Sequence, residues 1–378
     1  MRIETWDVRR GTLDFDVRYI YIHNMKENRL LIFVLALLVG VMTSCDDKVH
    51  LAADYKDISV TYALLNKNDS IHYFKIYKGF LTEDNAVEAA FDWNNIYYPV
   101  DSIEVRLEEY SEGGTLLRTA VLDTTTRVQK QDGVFASPKQ LLYYSTWKLD
   151  QDNTYRLVIK HLDTGEEVYA TTPIVGDFSV RNPQQTWNMN LEKPSTIKFY
   201  AAEHAAAYDL YFYFYYVEIN RHTGKIEHKV LKKKLNADFI RSTTTGEVSF
   251  VGFVPKSFYT FIAQNLEPNE DVDRYIDAID GKAYCCMRLQ LWAADKTFLT
   301  YYNVSTPGSS IVQNRLEYTN FVSSDDNAYG ILASRNSCYR DLQFNPMEHN
   351  EDTLVKGAAT RHLGFGYYRN SPLFPVEE

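Results

Sequence analysis

The chain has 378 residues, 45% of them apolar, with 50 Asp and Glu against 40 Lys and Arg and a formal net charge of −10. The length exceeds one ordinary domain and the apolar share is enough for real cores, so two domains are expected. The acidic balance repels phosphate and no basic run carries interleaved aromatics, which excludes nucleic acid as a partner; Lys232 to Lys234 is a short triplet that fits a solvated strand or turn.

In chain order, the first informative stretch is Lys26 to Arg29 followed by the uncharged apolar run Leu30 to Met42, then Thr43, Ser44 and Cys45. This is the order of a secretory n-region, h-region and cleavage site. The apolar run is too short to span a bilayer, which takes roughly 20 apolar residues. Met42–Thr43–Ser44–Cys45 resembles the bacterial lipobox, with Met where Leu is usual, and implies that Cys45 is lipidated and becomes the first residue of the mature chain. The 24 residues before Met25 carry scattered charge and no apolar periodicity, so Met25 is read as the true start. The other reading is a real N-terminal extension. Residues 1–45 hold six Lys/Arg and five Asp/Glu, which leaves 34 against 45 and a mature charge of −11. Asp46–Asp47–Lys48 follows the cysteine and resembles the surface-export signal of Bacteroidota lipoproteins; an ordinary solvated tether over 46–54 explains it equally.

From residue 55 to about 175 the signals are those of strands. Ile58 to Tyr62 and His72 to Lys78 alternate apolar and polar around the turn-forming cluster Asn66 to Ser70, which predicts a hairpin. Ile103 to Glu108 and Leu116 to Leu122, separated by Ser111–Glu112–Gly113–Gly114, predict a second. Glu83 to Asp92 has poor helical spacing and is read as loop with a turn of helix at most. Tyr155 to Lys160, the turn at Asp163–Thr164–Gly165 and Val168 to Thr172 resemble the end of an immunoglobulin or fibronectin type III sandwich, where a tyrosine near a strand start hydrogen-bonds back across the corner.

Pro173 to Asn188 is the best boundary, and a second β-rich unit is expected over 176–344. Asp209 to Ile219 is the most apolar stretch, with Leu210, Phe212 and Phe214 on one face and Tyr211, Tyr213 and Tyr215 on the other, as in a strand covered on both faces. Pro255 to Leu266 spaces its apolar residues as an amphipathic helix with Pro at the first position. Ala283 to Trp292 reads as a long strand, Thr297 to Asn303 as a short helix and Gly330 to Ser334 as a strand. The segment 345–378 is polar and punctuated by Gly and Pro, so it is expected to trail as the least ordered part of the mature chain besides the tether. The fold class expected is therefore mainly β, an immunoglobulin/fibronectin III-like sandwich over 55–175 and a larger β-sandwich domain with one or two short helices over 176–344.

Catalytic patterns are missing from the sequence. No two of the eight histidines after Cys45 make an HExxH or similar pattern; His222 and His228 flank a hairpin and are read as solvated. Asn66 to Ser70 has the oxygens of a calcium loop without its Gly and closing Glu. There is no Gly-x-Ser-x-Gly, and Gly364–Phe365–Gly366 follows a polar segment instead of a βαβ strand, so no cofactor or metal is expected. Cys285, Cys286 and Cys338 are an odd number; a bridge to Cys338 and three small buried hydrophobes are both open. The 29 Tyr and 20 Phe are the remaining signal. Tyr97–Tyr98, Tyr143–Tyr144 and Tyr301–Tyr302 lie in or beside predicted loops where one ring of each pair is expected to face outward and stack on a ligand; Tyr367–Tyr368 is a fourth pair. The plainer reading is that such rings cap sandwich ends.

Val60 to Leu81, with Gly133 to Ala136, Tyr155–Arg156–Leu157, Tyr318 to Phe321 and Tyr329 to Arg335, resembles an uncharacterised family of Bacteroidota outer-membrane lipoproteins with a domain of unknown function, often encoded near TonB-dependent receptors. The resemblance implies an outer-membrane or cell-surface lipoprotein, a TonB-dependent receptor as partner, and β-sandwich domains; it carries no active site. Asp69–Ser70–Ile71, Asp101–Ser102–Ile103, Asp123–Thr124–Thr125 and Asp352–Thr353–Leu354 also look like the short O-glycosylation sites of that phylum. The function expected is a non-catalytic binding module that captures a ligand or glycan for uptake. A fimbrial or adhesion subunit is the alternative, and a secreted hydrolase the third reading.

Overall fold

Seventeen residues in a single strand, Ala328–Phe344, tie the chain together. In the computed structural model, residues 57–80, 82, 85–130, 139–184, 186–187, 195–241, 246, 248–253, 255–306, 318–345 and 349–374 are described. The signal at 25–45 with Cys45, and Gly133 to Ala136 of the family resemblance, lie outside them. Strands β1 (Ser59–Leu65), β2 (His72–Lys78), β3 (Ile103–Tyr110), β4 (Leu116–Val121), β5 (Asp123–Thr125), β6 (Leu142–Ser145), β7 (Thr154–His161) and β8 (Glu167–Pro173) come first, with short helices α1 (Ala86–Ala89) and α2 (Trp93–Ile96) after β2. There follow β9 (Val180–Asn182), β10 (Thr186–Trp187), β11 (Ser195–Tyr200), β12 (Ala205–Asn220), β13 (Ile226–Lys234), β14 (Ile240–Arg241) and β15 (Val248–Phe253). Helix α3 (Pro255–Asn265), β16 (Val272–Ile276), β17 (Cys285–Asp295), α4 (Lys296–Ser305), β18 (Ala328–Phe344) and α5 (Asn350–Lys356) complete the elements used below. The chain is mainly β, as its alternation predicts, and the predicted helices are α3 and α4.

The main sheet runs β13-β12-β17-β18-β1-β2-β6-β5. Its strands come from both sides of Ile174, and residues 55–378 form one compact unit by contact. The first half of β18 pairs parallel with β1, Ser59 opposite Ala328 through Leu65 opposite Ser334; the second half pairs antiparallel with β17. Gly330 is required at the parallel join, because a Cβ there would lie 1.9 Å from the Thr61 carbonyl oxygen at a φ of +100°.

Alternation decides which face is inside. A second sheet, β4-β3-β7-β8, covers β1, β2 and β6, and Leu65, Phe74, Val105, Leu107, Leu157 and Ile159 fill the space between. At its corner Asp150 N–H donates to the Tyr155 hydroxyl at 2.8 Å, and that hydroxyl donates to Glu109 Oε1 at 2.6 Å. The expected bond from a tyrosine at a strand start back across the corner is thus present. A second core gathers Phe199, Phe212, Phe214, Phe258, Ile262 and Phe344 between the other half of the sheet, β11 and α3.

Two expectations are corrected. The segment after Asn345 does not trail: between 349 and 374 it packs Leu354, Leu363, Phe365 and Tyr368 into the second core. Four apolar side chains spaced over 15 positions make no periodic signal, yet together they close that core's open side. The strand expected at Gly330 to Ser334 runs ten residues further, to Phe344, because inward Asn336 breaks the apolar alternation. Its amide is satisfied by the Gly176 carbonyl at 2.7 Å. Cys285, Cys286 and Cys338 are thiols, and burial pushes the Cys338 thiol up to about 12.

Candidate functional site

The main sheet has one face in the cores and one turned outward. On the outward face, register places Tyr73 opposite Tyr144, Lys75 opposite Tyr62, and Tyr62 opposite Ile331. Helix α4 lies over this face, with the Tyr301 ring edge-on to Tyr62 at 6.1 Å. Between α4, β1, β2 and β18 opens a cleft of about 490 Å³ lined by Tyr62, Tyr73, Lys75, Phe298, Tyr301 and Arg335, among others. A second cleft, of about 480 Å³, lies toward the sheet edge between Tyr73, Tyr144 and Thr124 to Val128. The two share Ile71 and Tyr73, so they meet across β2 as one bent groove.

Outward tyrosines offer flat apolar faces with polar edges. Two solvent-closed acceptors beneath the cleft, His72 Nδ1 and Gln140 Oε1, have no hydrogen-bond partner among the described residues, and His72 shares the core-facing phase of β2 with Phe74 and Ile76. His72 Nε2 donates to the Trp147 carbonyl at 2.9 Å, and burial holds the imidazole below its usual range, so Nδ1 is an acceptor lone pair. Burial also lowers Lys75, which has no carboxylate partner among the described residues.

The six tyrosines singled out from sequence separate into two groups. Tyr144 and Tyr301 line the groove, one in each cleft. Tyr302 is on α4 too, but packs on Phe239 at 4.7 Å. Tyr97, Tyr98 and Tyr143 are buried. Tyr97 is covered by Trp93 and Tyr77, with ring centroids 4.3 and 5.4 Å away, and its hydroxyl is pushed up to about 12 by burial. Tyr143 faces the first core; burial likewise moves its hydroxyl up to about 12. The groove tyrosines missed from sequence are Tyr62 and Tyr73. Strand parity signals only Tyr73, which shares the polar phase of β2 with Lys75; Tyr62 shares the outward face of β1 with Val60 and Leu64, while Ser59 and Thr61 face the core.

A second constellation, also unread from sequence, joins Asp57, Ser59, Tyr98 and His161. Ser59 Oγ lies 3.3 Å from His161 Nε2, and His161 Nδ1 lies 3.3 Å from Asp57 Oδ2. This is the order of a serine–histidine–aspartate relay. Ser59, however, is on the core face of β1 at 2% exposure, and its Oγ is also 3.0 Å from the Tyr98 hydroxyl, which donates to Asp57 at 2.7 Å. The network fastens β1 to β7 and to the loop after α2. His222 and His228 are held by different carboxylates, Asp271 and Asp277, at 3.1 and 2.7 Å. No group of three or more potential metal ligands occurs among the described residues.

No protein-family model matches the chain, and no curated protein does. Among solved structures, the C-terminal globular domain of an oligosaccharyltransferase from Pyrococcus abyssi is similar over 57% of this chain at 11% identity with a TM-score of 0.23. The match spans 44% of that chain, and at that score it carries no argument about function.

Proposed function

We propose that the protein is a cell-surface, lipid-anchored binding module that captures carbohydrate in the groove and works beside a TonB-dependent uptake receptor without chemistry of its own. The observation that carries this reading is the meeting of two clefts at Ile71 and Tyr73 beneath outward tyrosines from β1, β2, β6 and α4. Rings of this kind stack on sugar C–H faces. The lipobox-like end of the signal and the acidic residues behind Cys45 support the location.

The test is a glycan array probed with the full-length detergent-solubilised protein, followed by titration of any hit against Tyr73→Ala. Loss of roughly tenfold in affinity is expected, since one stacked ring contributes up to about 1.5 kcal/mol beyond its buried area. An array without a hit, or a hit indifferent to Tyr73, removes the reading. One observation favours a structural subunit instead: edge strand β4 exposes Leu116, Leu117 and Val121, a surface suited to strand addition by another chain. Polymers in outer-membrane extracts would favour that alternative.

A further inference from the structure

The groove does not stop at α4. On its wall Arg335 lies over the Trp292 ring, 5.2 Å from the centroid, and Trp292 belongs to the same outward face farther along the sheet. Register assigns its neighbours. Trp292 is opposite Asp209 and Ser337, Gln290 is opposite Tyr211 and Tyr339, and Arg288 is opposite Tyr213 and Asp341. Side chains two apart on a strand share a face, so these residues form one platform of rings and planar polar groups continuous with the groove. Tyr339 is 58% exposed, with the Arg288 guanidinium 4.2 Å from its ring centroid. Asp341 fixes that guanidinium at 2.6 and 3.1 Å.

The charges on this track run against those of the whole chain. Three of its carboxylates are matched: Asp209 by Lys234 at 2.9 Å, Asp341 by Arg288, and Asp69 by Arg335 at 4.0 Å. Lys75, Arg127 and Lys232 have no ion-pair partner among the described residues, and Lys232 lies over Tyr211 at 4.2 Å. Against these three cations register places one carboxylate without an ion-pair partner among the described residues, Asp123 opposite Tyr144 at the sheet edge, so the unmatched charge of the track is net positive on a protein with a formal net charge of −10, which is complementary to an anion. Outward rings outnumber the unmatched cations along it. An occupant should therefore carry more stacking units than charges. Single-stranded nucleic acid also stacks on aromatics, but with a phosphate for every base.

We propose that groove and platform are one continuous track for an acidic polysaccharide, a chain of sugar rings of which only some bear a carboxylate or sulfate. This rests on the carbohydrate reading above and adds its class and length. The probes are oligosaccharides of hyaluronan, alginate and polygalacturonate, each as tetramer and dodecamer, with chitohexaose as uncharged control and a twelve-nucleotide oligothymidine. They are titrated against the full-length protein in detergent, and folding of each variant is checked by circular dichroism.

At least one acidic dodecamer is expected to bind about tenfold more tightly than its tetramer through added contacts along the track, and to weaken with salt. Trp292→Ala and Tyr339→Ala should each weaken the dodecamer by about tenfold at most and leave the tetramer unchanged, whereas Tyr73→Ala weakens both. Equal affinity for both lengths with no effect of Trp292 overturns the track while leaving the groove standing. Chitohexaose bound as tightly as every acidic chain overturns the charge assignment. Tightest binding by oligothymidine, or no binding by any acidic oligosaccharide, overturns the proposal altogether; silence from chitohexaose and the array as well removes the carbohydrate reading beneath it.

Discussion

Replacing Gly330 by Ala tests the join that makes the outward face continuous. The added Cβ would meet the Thr61 carbonyl oxygen at 1.9 Å, its carbon at 2.7 Å and the Thr61 nitrogen at 2.9 Å, all of them backbone atoms that cannot rotate away. The positive φ adds its own cost, about 1 to 3 kcal/mol for an L side chain held outside its ordinary regions. Forcing the strands apart costs about 1 to 3 kcal/mol more, as overpacking does, and weakens the ladder from Ser59 to Leu65. The sum, roughly 2 to 6 kcal/mol, is a large part of the about 5 to 15 kcal/mol that holds an ordinary domain together. The assay is urea unfolding followed by circular dichroism, with Gly114→Ala as reference. Gly114 has a φ of +80°, and a Cβ added there would meet nothing within 4 Å, so that substitution reports the backbone cost alone. Gly330→Ala should lower the midpoint by at least twice as much. Equal shifts in the two variants would refute the close approach of β1 and β18.

Arg274→Met should cost about 1.5 to 3 kcal/mol in the same assay, because it leaves the nearly buried Glu218 with Lys229 alone: Arg274 Nε donates to Glu218 Oε1 at 2.8 Å and Nη1 to the Leu363 carbonyl at 2.7 Å. Adding Glu218→Leu should recover much of that loss, and an additive double variant would contradict the pairing. Acid should destabilise the fold through Glu109 and Glu218. Burial pushes both carboxyls up, but hydrogen bonds from Tyr155, Asn153 and Arg118 to the first, and from Lys229 and Arg274 to the second, outweigh it and leave both below the usual range. A folded pKa below the unfolded one means stability fully present above about pH 4.3 and lost as pH falls through the folded value. Urea midpoints that stay level from pH 7 to pH 3 would contradict this. Cys45→Ala should abolish palmitate labelling and move the protein out of the membrane fraction; a variant that is labelled and fractionates like the parent shows that Cys45 is not the anchor.

How much of this was legible depended on whether a residue's face could be told from its neighbours. In β2 and β3 one side is core and the other is solvent or groove, so alternation reads directly, and the Tyr155 corner is local enough to recognise, whereas β1 turns Ser59 and Thr61 to the core and Val60 and Tyr62 outward, the reverse of its apolar pattern. The parallel pairing of β1 with β18 joins residues about 270 apart in sequence and left no local trace. The tyrosine pairs failed for a related reason. Being beside a loop did not distinguish Tyr97, buried by Trp93 and Tyr77, from Tyr144, whose place in the groove follows from being opposite Tyr73.

What turns a flat sheet face into a groove is α4, and what places α4 is one buried carboxylate. Asp295 ends β17 and caps the helix, accepting the Phe298 N–H at 2.8 Å. Its other oxygen accepts the Thr172 hydroxyl and the Ser334 N–H, each at 2.9 Å, so the cap is fastened to β8 and β18 as well. Burial drives this carboxyl above its ordinary range, a cost accepted at a position where three donors converge. From that fixed start, the first and second turns of α4 carry Phe298 and Tyr301 over β1 and β18, where they become the cleft wall opposite Tyr62. A residue that never touches the groove thus sets its width, and the same carboxylate links the two strands, β17 and β18, from which the platform beyond Arg335 is built.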